Sequence, residues 1–208
     1  MSKTPLTTLL LFVLSVSFLM ACAGGSNIQS SIKDIESIKS ISIDAEVVVP
    51  ALPYVQGINM NKYSWFGGIG AVAGANKDSM LFQEYLEKNG IKISEIALNS
   101  FKTALAQKGM FNISEDSPTK LKITVNTYGF GAAGAFDKEN VKPLINITAA
   151  LSKHDDNILW KKTDYVTNLS SKLTKYPFEQ LAKDPSLVKI SLAEASDIVI
   201  ESILNDFK

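Results

Sequence analysis

Hydrophobic and polar residues alternate along several segments of the chain in the two-residue period of a β-strand. Residues 41–49 place an apolar side chain at every odd-numbered position, and two prolines close behind end the strand. Residues 121–125 repeat the pattern. Residues 143–153 and 158–167 also favour strands, and the turn-forming residues between them predict a hairpin. A short strand is predicted at residues 110–114.

Two other segments have apolar residues every three or four positions, which is typical of amphipathic helices. The first runs from Asp78 to Lys108, with an interruption near Asn89-Gly90, and Gly109 is its predicted C-terminal stop. The second runs from Ser191, the predicted N-cap, to Phe207.

This order of elements predicts an α+β fold: a largely antiparallel sheet of four or five strands with two main helices packed on one face. We expect a single domain over residues 41–208, with a glycine-rich insertion at residues 65–75. Residues 22–40 are predicted to be a flexible tether, in which Ile28, Ile32, Ile35 and Ile38 form at most a short amphipathic turn.

The amino terminus has the features of an export signal, predicted over residues 1–21. Lys3 precedes an apolar stretch from Leu9 to Ala21, which is shorter than the roughly 20 residues that a membrane-spanning helix needs. The sequence Leu19-Met20-Ala21-Cys22 then resembles the lipobox of bacterial lipoproteins, although Met20 departs from the commonest pattern. The resemblance implies cleavage before Cys22 and lipid attachment to its sulfur.

The cysteine count agrees with lipid attachment. Cys22 is the only cysteine, so the chain cannot form an internal disulfide, and a free thiol in an oxidising envelope would be a liability. The alternative is an ordinary cysteine in a secretory signal that is cleaved elsewhere. Ala23, in place of Asp, resembles lipoproteins sorted to the outer membrane. We therefore expect a lipid-anchored protein of the cell envelope, at the outer membrane and facing the periplasm.

Composition argues against nucleic-acid binding and against catalysis. The chain has 21 basic and 21 acidic residues but no arginine, the residue best suited to capture phosphates and base edges. His154, the only histidine, lies in the turn of the predicted hairpin beside Asp155 and Asp156, where solvated side chains are the simplest interpretation. No nucleophile or phosphate-loop motif is present. We expect no enzyme activity, no metal, and no cofactor beyond the covalent lipid.

Two uncharged segments rich in glycine and aromatic residues are the candidate interaction sites. The first spans residues 65–75 and the second residues 128–136. Such segments allow close approach of another backbone, at a membrane interface or in an oligomer. The alternative is that their glycines relieve crowding while their aromatic rings cap the core. The candidate residues are Trp65, Phe66, Gly67, Gly70, Gly74, Tyr128, Phe130 and Phe136.

The element order, the lipobox and the helix-glycine-strand junction at residues 105–111 resemble a group of bacterial envelope lipoproteins. The group includes the curli secretion channel subunit, the activators of penicillin-binding proteins and the auxiliary lipoproteins of ABC-type transport. The resemblance implies a membrane-anchored accessory or assembly component that acts through protein partners or self-association. The alternative is a periplasmic carrier or sensor of a lipid or other apolar ligand. A hydrolase ranks third.

Overall fold

The structure is a computed structural model, and it describes residues 28–29, 37–56, 77–134, 136–137, 139–153 and 157–205. The predicted signal peptide, the lipobox with Cys22, and Trp65, Phe66, Gly67, Gly70 and Gly74 lie outside these residues, as does His154.

The described residues form an α+β fold, as the sequence predicts. The strands are β1 (Ile28–Gln29), β2 (Ser40–Ile43), β3 (Tyr54–Gln56), β4 (Asn112–Ile113), β5 (Thr119–Ala132), β6 (Asn140–Lys153), β7 (Asn157–Val166) and β8 (Tyr176–Pro177). The helices are α1 (Lys77–Lys88), α2 (Ile93–Lys108), α3 (Phe178–Lys183) and α4 (Pro185–Leu204).

The sheet is centred on three long antiparallel strands in the order β7-β6-β5. The strand β1 adds to the free edge of β7, and β2 joins β5 on the other side in parallel, with β4 beyond it. The short strand β3 also pairs with β5 in parallel, and β8 pairs with β6. The predicted hairpin is thus confirmed as β6 and β7.

A single-residue bulge in β5 keeps its apolar side chains on one face of the sheet. Val125 pairs with Ile147 and Thr127 pairs with Asn146, so that Asn126 is the extra residue. Leu121, Ile123 and Val125 before the bulge, and Tyr128 and Phe130 after it, are therefore all buried on the same face. The strand is longer than predicted: it continues into the second glycine-rich segment and ends at Ala132.

The predicted long helix is divided into α1 and α2, and a glycine follows the end of each helix. Gly90 (φ +63°) and Gly109 (φ +60°) take left-handed conformations that glycine adopts without strain. The backbone N–H of Gly109 donates to the carbonyl of Leu105 at 3.0 Å, so the predicted C-terminal stop of the helix is confirmed.

The core lies between the sheet and the described helices, which pack on one of its faces. The long helices α2 and α4 contact each other, and α4 crosses β6 and β7. On α1, Phe82 meets Phe130 edge to face, with ring centroids 5.6 Å apart. The side chains that fill the interior include Phe101, Leu105, Ile147, Trp160, Leu192 and Ile200. The two-layer prediction is therefore confirmed.

The closing helix begins earlier than predicted. Its N-cap is Asp184, whose carboxylate accepts from the backbone N–H of Ser186 at 2.9 Å, and Pro185 occupies the first turn. The predicted cap, Ser191, lies inside the helix, where its hydroxyl donates to the carbonyl of Leu187 at 2.7 Å. The prediction was wrong because a serine inside a helix can bond to the preceding turn as well as cap.

Two other boundaries also differ. The predicted first strand ends at Ile43, and beyond it Val48 forms only an isolated bridge with Thr124. In the predicted tether, Ile28 and Gln29 pair with Lys161 and Trp160 of β7. Edge strands of two residues leave too short a pattern to detect from sequence.

Candidate interaction surfaces

The aromatic residues of the second glycine-rich segment lie in two different environments. Tyr128 and Phe130 are each 3% exposed and belong to the core, which favours the alternative role as core-capping rings. The Tyr128 hydroxyl donates to Gln83 Oε1 on α1 at 3.0 Å, and burial raises its pKa. Phe136 is 98% exposed, so it is the described member of the predicted interaction set that is available to another molecule.

Phe136 lies at one end of the sheet, where two loops meet. The first loop, between β5 and β6, has residues 133, 134, 136, 137 and 139 among those described, and the second loop, after β7, is residues 167–175. We call this surface the two-loop end. The second loop presents Leu169, which is 69% exposed. Two large apolar side chains therefore project into solvent from neighbouring loops.

Hydrogen bonds fix the second loop to β5 and β6, and an ion pair joins it to the first loop. The Asn168 side-chain amide donates to the Ala132 carbonyl at 2.6 Å, and Lys142 Nζ donates to the Ser170 carbonyl at 2.7 Å. Lys175 Nζ lies 3.4 Å from Asp137 Oδ2. Phe136 and Leu169 are therefore exposed on loops whose backbone positions are held by these contacts.

Asp137 organises the first loop. Its Oδ1 accepts from the backbone N–H of Asn140 at 3.1 Å and from the Asn140 side-chain amide at 2.9 Å. These bonds, with a smaller contribution from Lys175, hold the pKa of the Asp137 carboxyl below its usual value. The carboxylate thus stays ionised and serves the loop as a structural acceptor.

A second surface is the face of the sheet opposite the helices, which we call the open face. A polar ladder crosses β5, β6 and β7 at its centre. Asn126 Nδ2 lies 2.8 Å from both Asn146 Oδ1 and Thr148 Oγ1, and Thr148 Oγ1 lies 2.8 Å from Thr163 Oγ1. These bonds link side chains on three neighbouring strands across the open face.

The rim of the open face is more apolar towards the two-loop end and basic towards the opposite end. Tyr165, opposite Asn146, is 65% exposed, and Tyr54 on β3 is 45% exposed. Lys120 and Lys161 lie on the same face towards the hairpin that joins β6 and β7. Exposed tyrosines beside fixed polar groups are typical of protein-binding surfaces.

A cleft of about 440 Å³ opens at the side of the molecule, between residues 49–51, the end of α1 and the start of α2. Leu86, Ile91 and Ile93 give it an apolar floor, while Glu87 and Lys92 stand at its rim. It is open to solvent. The cleft is thus not the closed pocket between sheet and helices that the carrier hypothesis requires. Between the sheet and the helices, the described apolar side chains are buried against one another as core.

The sequence did not identify the polar ladder or Leu169. Alternation in residues 120–126 and 144–152 marks the outward positions, but the hydrogen bonds between them depend on strand register, which the bulge at Asn126 sets. Leu169 is an isolated apolar residue in a loop and carries no pattern.

Two absences concern the residues that the structure describes. Within them no group of three or more His, Cys, Asp or Glu side chains is arranged to hold a metal ion. Among the helices described, none combines the length and apolarity needed to cross a bilayer.

No family model matches the chain, and no curated protein matches it. Among solved structures, it is similar to protein XCC0632 from Xanthomonas campestris, of family model DUF330. That match has 15% identity and a TM-score of 0.47, and it covers 81% of this chain and 83% of that chain. Lipoprotein GNA1162 from Neisseria meningitidis matches at 14% identity and a TM-score of 0.25, over 80% of this chain and 99% of that chain.

Proposed function

We propose that this chain is a bacterial envelope lipoprotein, anchored through lipid on Cys22, that acts without catalysis as an accessory or assembly component. It works by binding a protein partner, or a second copy of itself, through the open face. The observation that carries this proposal is the exposed Tyr165 beside the hydrogen-bonded ladder of Asn126, Asn146, Thr148 and Thr163. A preorganised polar surface with an aromatic rim lowers the entropy cost of association.

The anchor follows from the sequence around Cys22. A single acyl chain binds a membrane only marginally, whereas two or three chains hold a protein firmly. The outer membrane, with the domain in the periplasm, is the proposed location, and Ala23 after the cysteine supports it.

The anchor is tested by intact mass spectrometry of the protein extracted from membranes. We expect a mass that corresponds to a chain beginning at Cys22 with attached acyl groups. Cys22→Ser should yield an uncleaved or unlipidated product. A wild-type mass without lipid would rule out the anchor.

The open face is tested with a photo-crosslinking amino acid at Tyr165, in the full-length protein in its native membrane. We expect a defined adduct, with twice the monomer mass if the protein self-associates. Adding Asn126→Lys places a charge on the ladder and should reduce the adduct by about tenfold, equivalent to roughly 1.4 kcal/mol.

Two matched controls separate a specific contact from general proximity. A crosslinker at Ile190, 55% exposed on α4, should give no such adduct, because this position lies on the helical side. Asn99→Lys, at an exposed position of α2, should leave the Tyr165 adduct unchanged. Equal adduct yields with Asn126→Lys and Asn99→Lys would contradict the role of the open face.

A further inference from the structure

The direction of β1 shows which end of the sheet its first residue faces. Ile28 pairs with Lys161 and Gln29 with Trp160, antiparallel to β7. The amino-terminal end of β1, at Ile28, therefore faces the Val166 end of β7, which leads into residues 167–175. The two-loop end lies on that side.

The distances along the chain are compatible with this placement. Val166 lies five positions after Lys161, which is about 17 Å in a strand. Cys22 lies six residues before Ile28, a segment whose maximum span is about 20 Å. The lipid on Cys22 can therefore reach the level of the two-loop end, which is the end that the amino terminus of β1 faces.

The chemistry of the two-loop end suits a bilayer surface. Phe136 and Leu169 are the most exposed of the large hydrophobic side chains described, at 98% and 69%. Aromatic and aliphatic side chains of this kind enter the boundary between headgroups and acyl chains. Lys172 is exposed on the second loop, and a lysine near a membrane is attracted to anionic lipids.

We propose that the two-loop end docks on the phospholipid bilayer that holds the anchor, with Phe136 and Leu169 inserted among the headgroups. This inference rests on the proposed lipid attachment and adds an orientation to it. The strands then stand away from the membrane, and the hairpin joining β6 and β7 points into the aqueous space. The open face is presented sideways, accessible to a protein partner.

The orientation can be measured with a fluorophore, because a lipidated Cys22 leaves an introduced cysteine as the only free thiol. Ser171→Cys, exposed beside Leu169, reports on the two-loop end, and Asn157→Cys, exposed at the start of β7, reports on the opposite end. Each lipidated protein is labelled with an environment-sensitive dye. It is then reconstituted in vesicles of phosphatidylethanolamine and phosphatidylglycerol that contain headgroup-nitroxide lipid.

We expect several-fold stronger quenching at residue 171 than at residue 157. Phe136→Ser with Leu169→Ser should remove most of that difference, while Met80→Ser, at an exposed apolar position of α1, should not. Because the changed side chains are solvent-exposed, circular dichroism and the unfolding midpoint should match the wild type.

Three outcomes would overturn the docking proposal. Equal quenching at residues 171 and 157 in a protein whose intact mass includes lipid would reject the orientation and leave the lipoprotein proposal in place. Efficient crosslinking between Ser171→Cys copies without lipid quenching would assign this end to self-association. A mass without lipid on Cys22 would reject the anchor and, with it, the docking inference.

Discussion

Gly129 lies directly against the backbone of Tyr54, and no other residue type fits there. A Cβ atom on Gly129 would lie 1.8 Å from the Tyr54 carbonyl oxygen, and the glycine has φ +149°. Tyr54 and Gly129 are paired between β3 and β5, so the missing side chain is what allows the two strands to join. This glycine belongs to the segment that the sequence singled out, and its role is close backbone approach within one molecule.

Gly129→Ala should therefore destabilise the protein by more than about 2 kcal/mol, because both the steric overlap and the positive φ oppose it. The free energy of unfolding from urea titration measures the effect. Gly134→Ala is the control, since its Cβ would meet only the Asp137 Cβ at an ordinary 3.8 Å, and it should behave as the wild type. Equal stabilities for the two variants would contradict the packing of β3 on β5.

Phe130 and Phe136 lie in the same glycine-rich segment and should respond oppositely to truncation. Phe130→Ala leaves a cavity beside Phe82 and should cost about 3–5 kcal/mol. Phe136→Ala removes an exposed ring and should change the free energy of unfolding by less than about 0.5 kcal/mol. A large loss of stability in Phe136→Ala would show that this ring is part of the core.

Because Tyr85 is buried, we expect the free energy of unfolding to fall at alkaline pH. Its hydroxyl donates to the Leu181 carbonyl at 3.0 Å, and burial, with a smaller contribution from the charge of Asp184, raises its pKa from 10.0 to about 12. The folded state favours the neutral phenol. Its contribution is therefore complete below pH 10, the unfolded value, and is lost as the pH rises towards 12.

Tyr85→Phe should accordingly be less stable than the wild type at pH 8, since the hydrogen bond is lost, but should lose less additional stability between pH 8 and pH 11. Chemical denaturation at the two pH values gives the comparison. Tyr165→Phe, at an exposed ring, should follow the wild type. Parallel losses in Tyr85→Phe and wild type would exclude Tyr85 as the cause.

Asp184 should stabilise the start of α4 at neutral pH and lose this effect at low pH. Its side chain accepts from the backbone N–H of Ser186, and hydrogen bonds from Ser186 lower the pKa of the carboxyl. Such a group stabilises the fold above its unfolded pKa, and the contribution is lost as pH falls through the lower folded value. Asp184→Ala should lower the thermal midpoint at pH 7 and reduce its further decrease on acidification. Asp197→Ala, exposed in mid-helix, is the control.

The parts of the fold that the sequence predicts are those with a long regular period. The hairpin of β6 and β7, the helix stop at Gly109 and the two-layer α+β arrangement follow from alternation, helical spacing and a left-handed glycine. The start of α4 at Asp184 was missed because Ser, Asp and Pro all occur near the helix, and tertiary packing selects among them.

The interaction surfaces were predicted less completely. The exposed Phe136 belongs to the candidate set, yet Tyr128 and Phe130, a few residues away, are buried. Composition alone cannot separate them, because all three rings lie in one uncharged segment of small residues. They differ in that β5 ends at Ala132, after Phe130 and before Phe136. Leu169 reaches the same surface through the hydrogen bond from Asn168 to Ala132, a contact between residues 36 apart in the chain.

The extra residue at Asn126 also sets how this chain tolerates changes in length. Removing it would restore a regular ladder and leave Tyr128 and Phe130 on their present side, because one residue is lost exactly where one is surplus. Removing Lys122 instead would reverse the parity of the residues between it and Asn126, turning Ile123 and Val125 out of the core. Most deletions in β5 would thus turn apolar side chains out of the core, whereas a deletion at Asn126, at the β5 end of the polar ladder, would keep them in place.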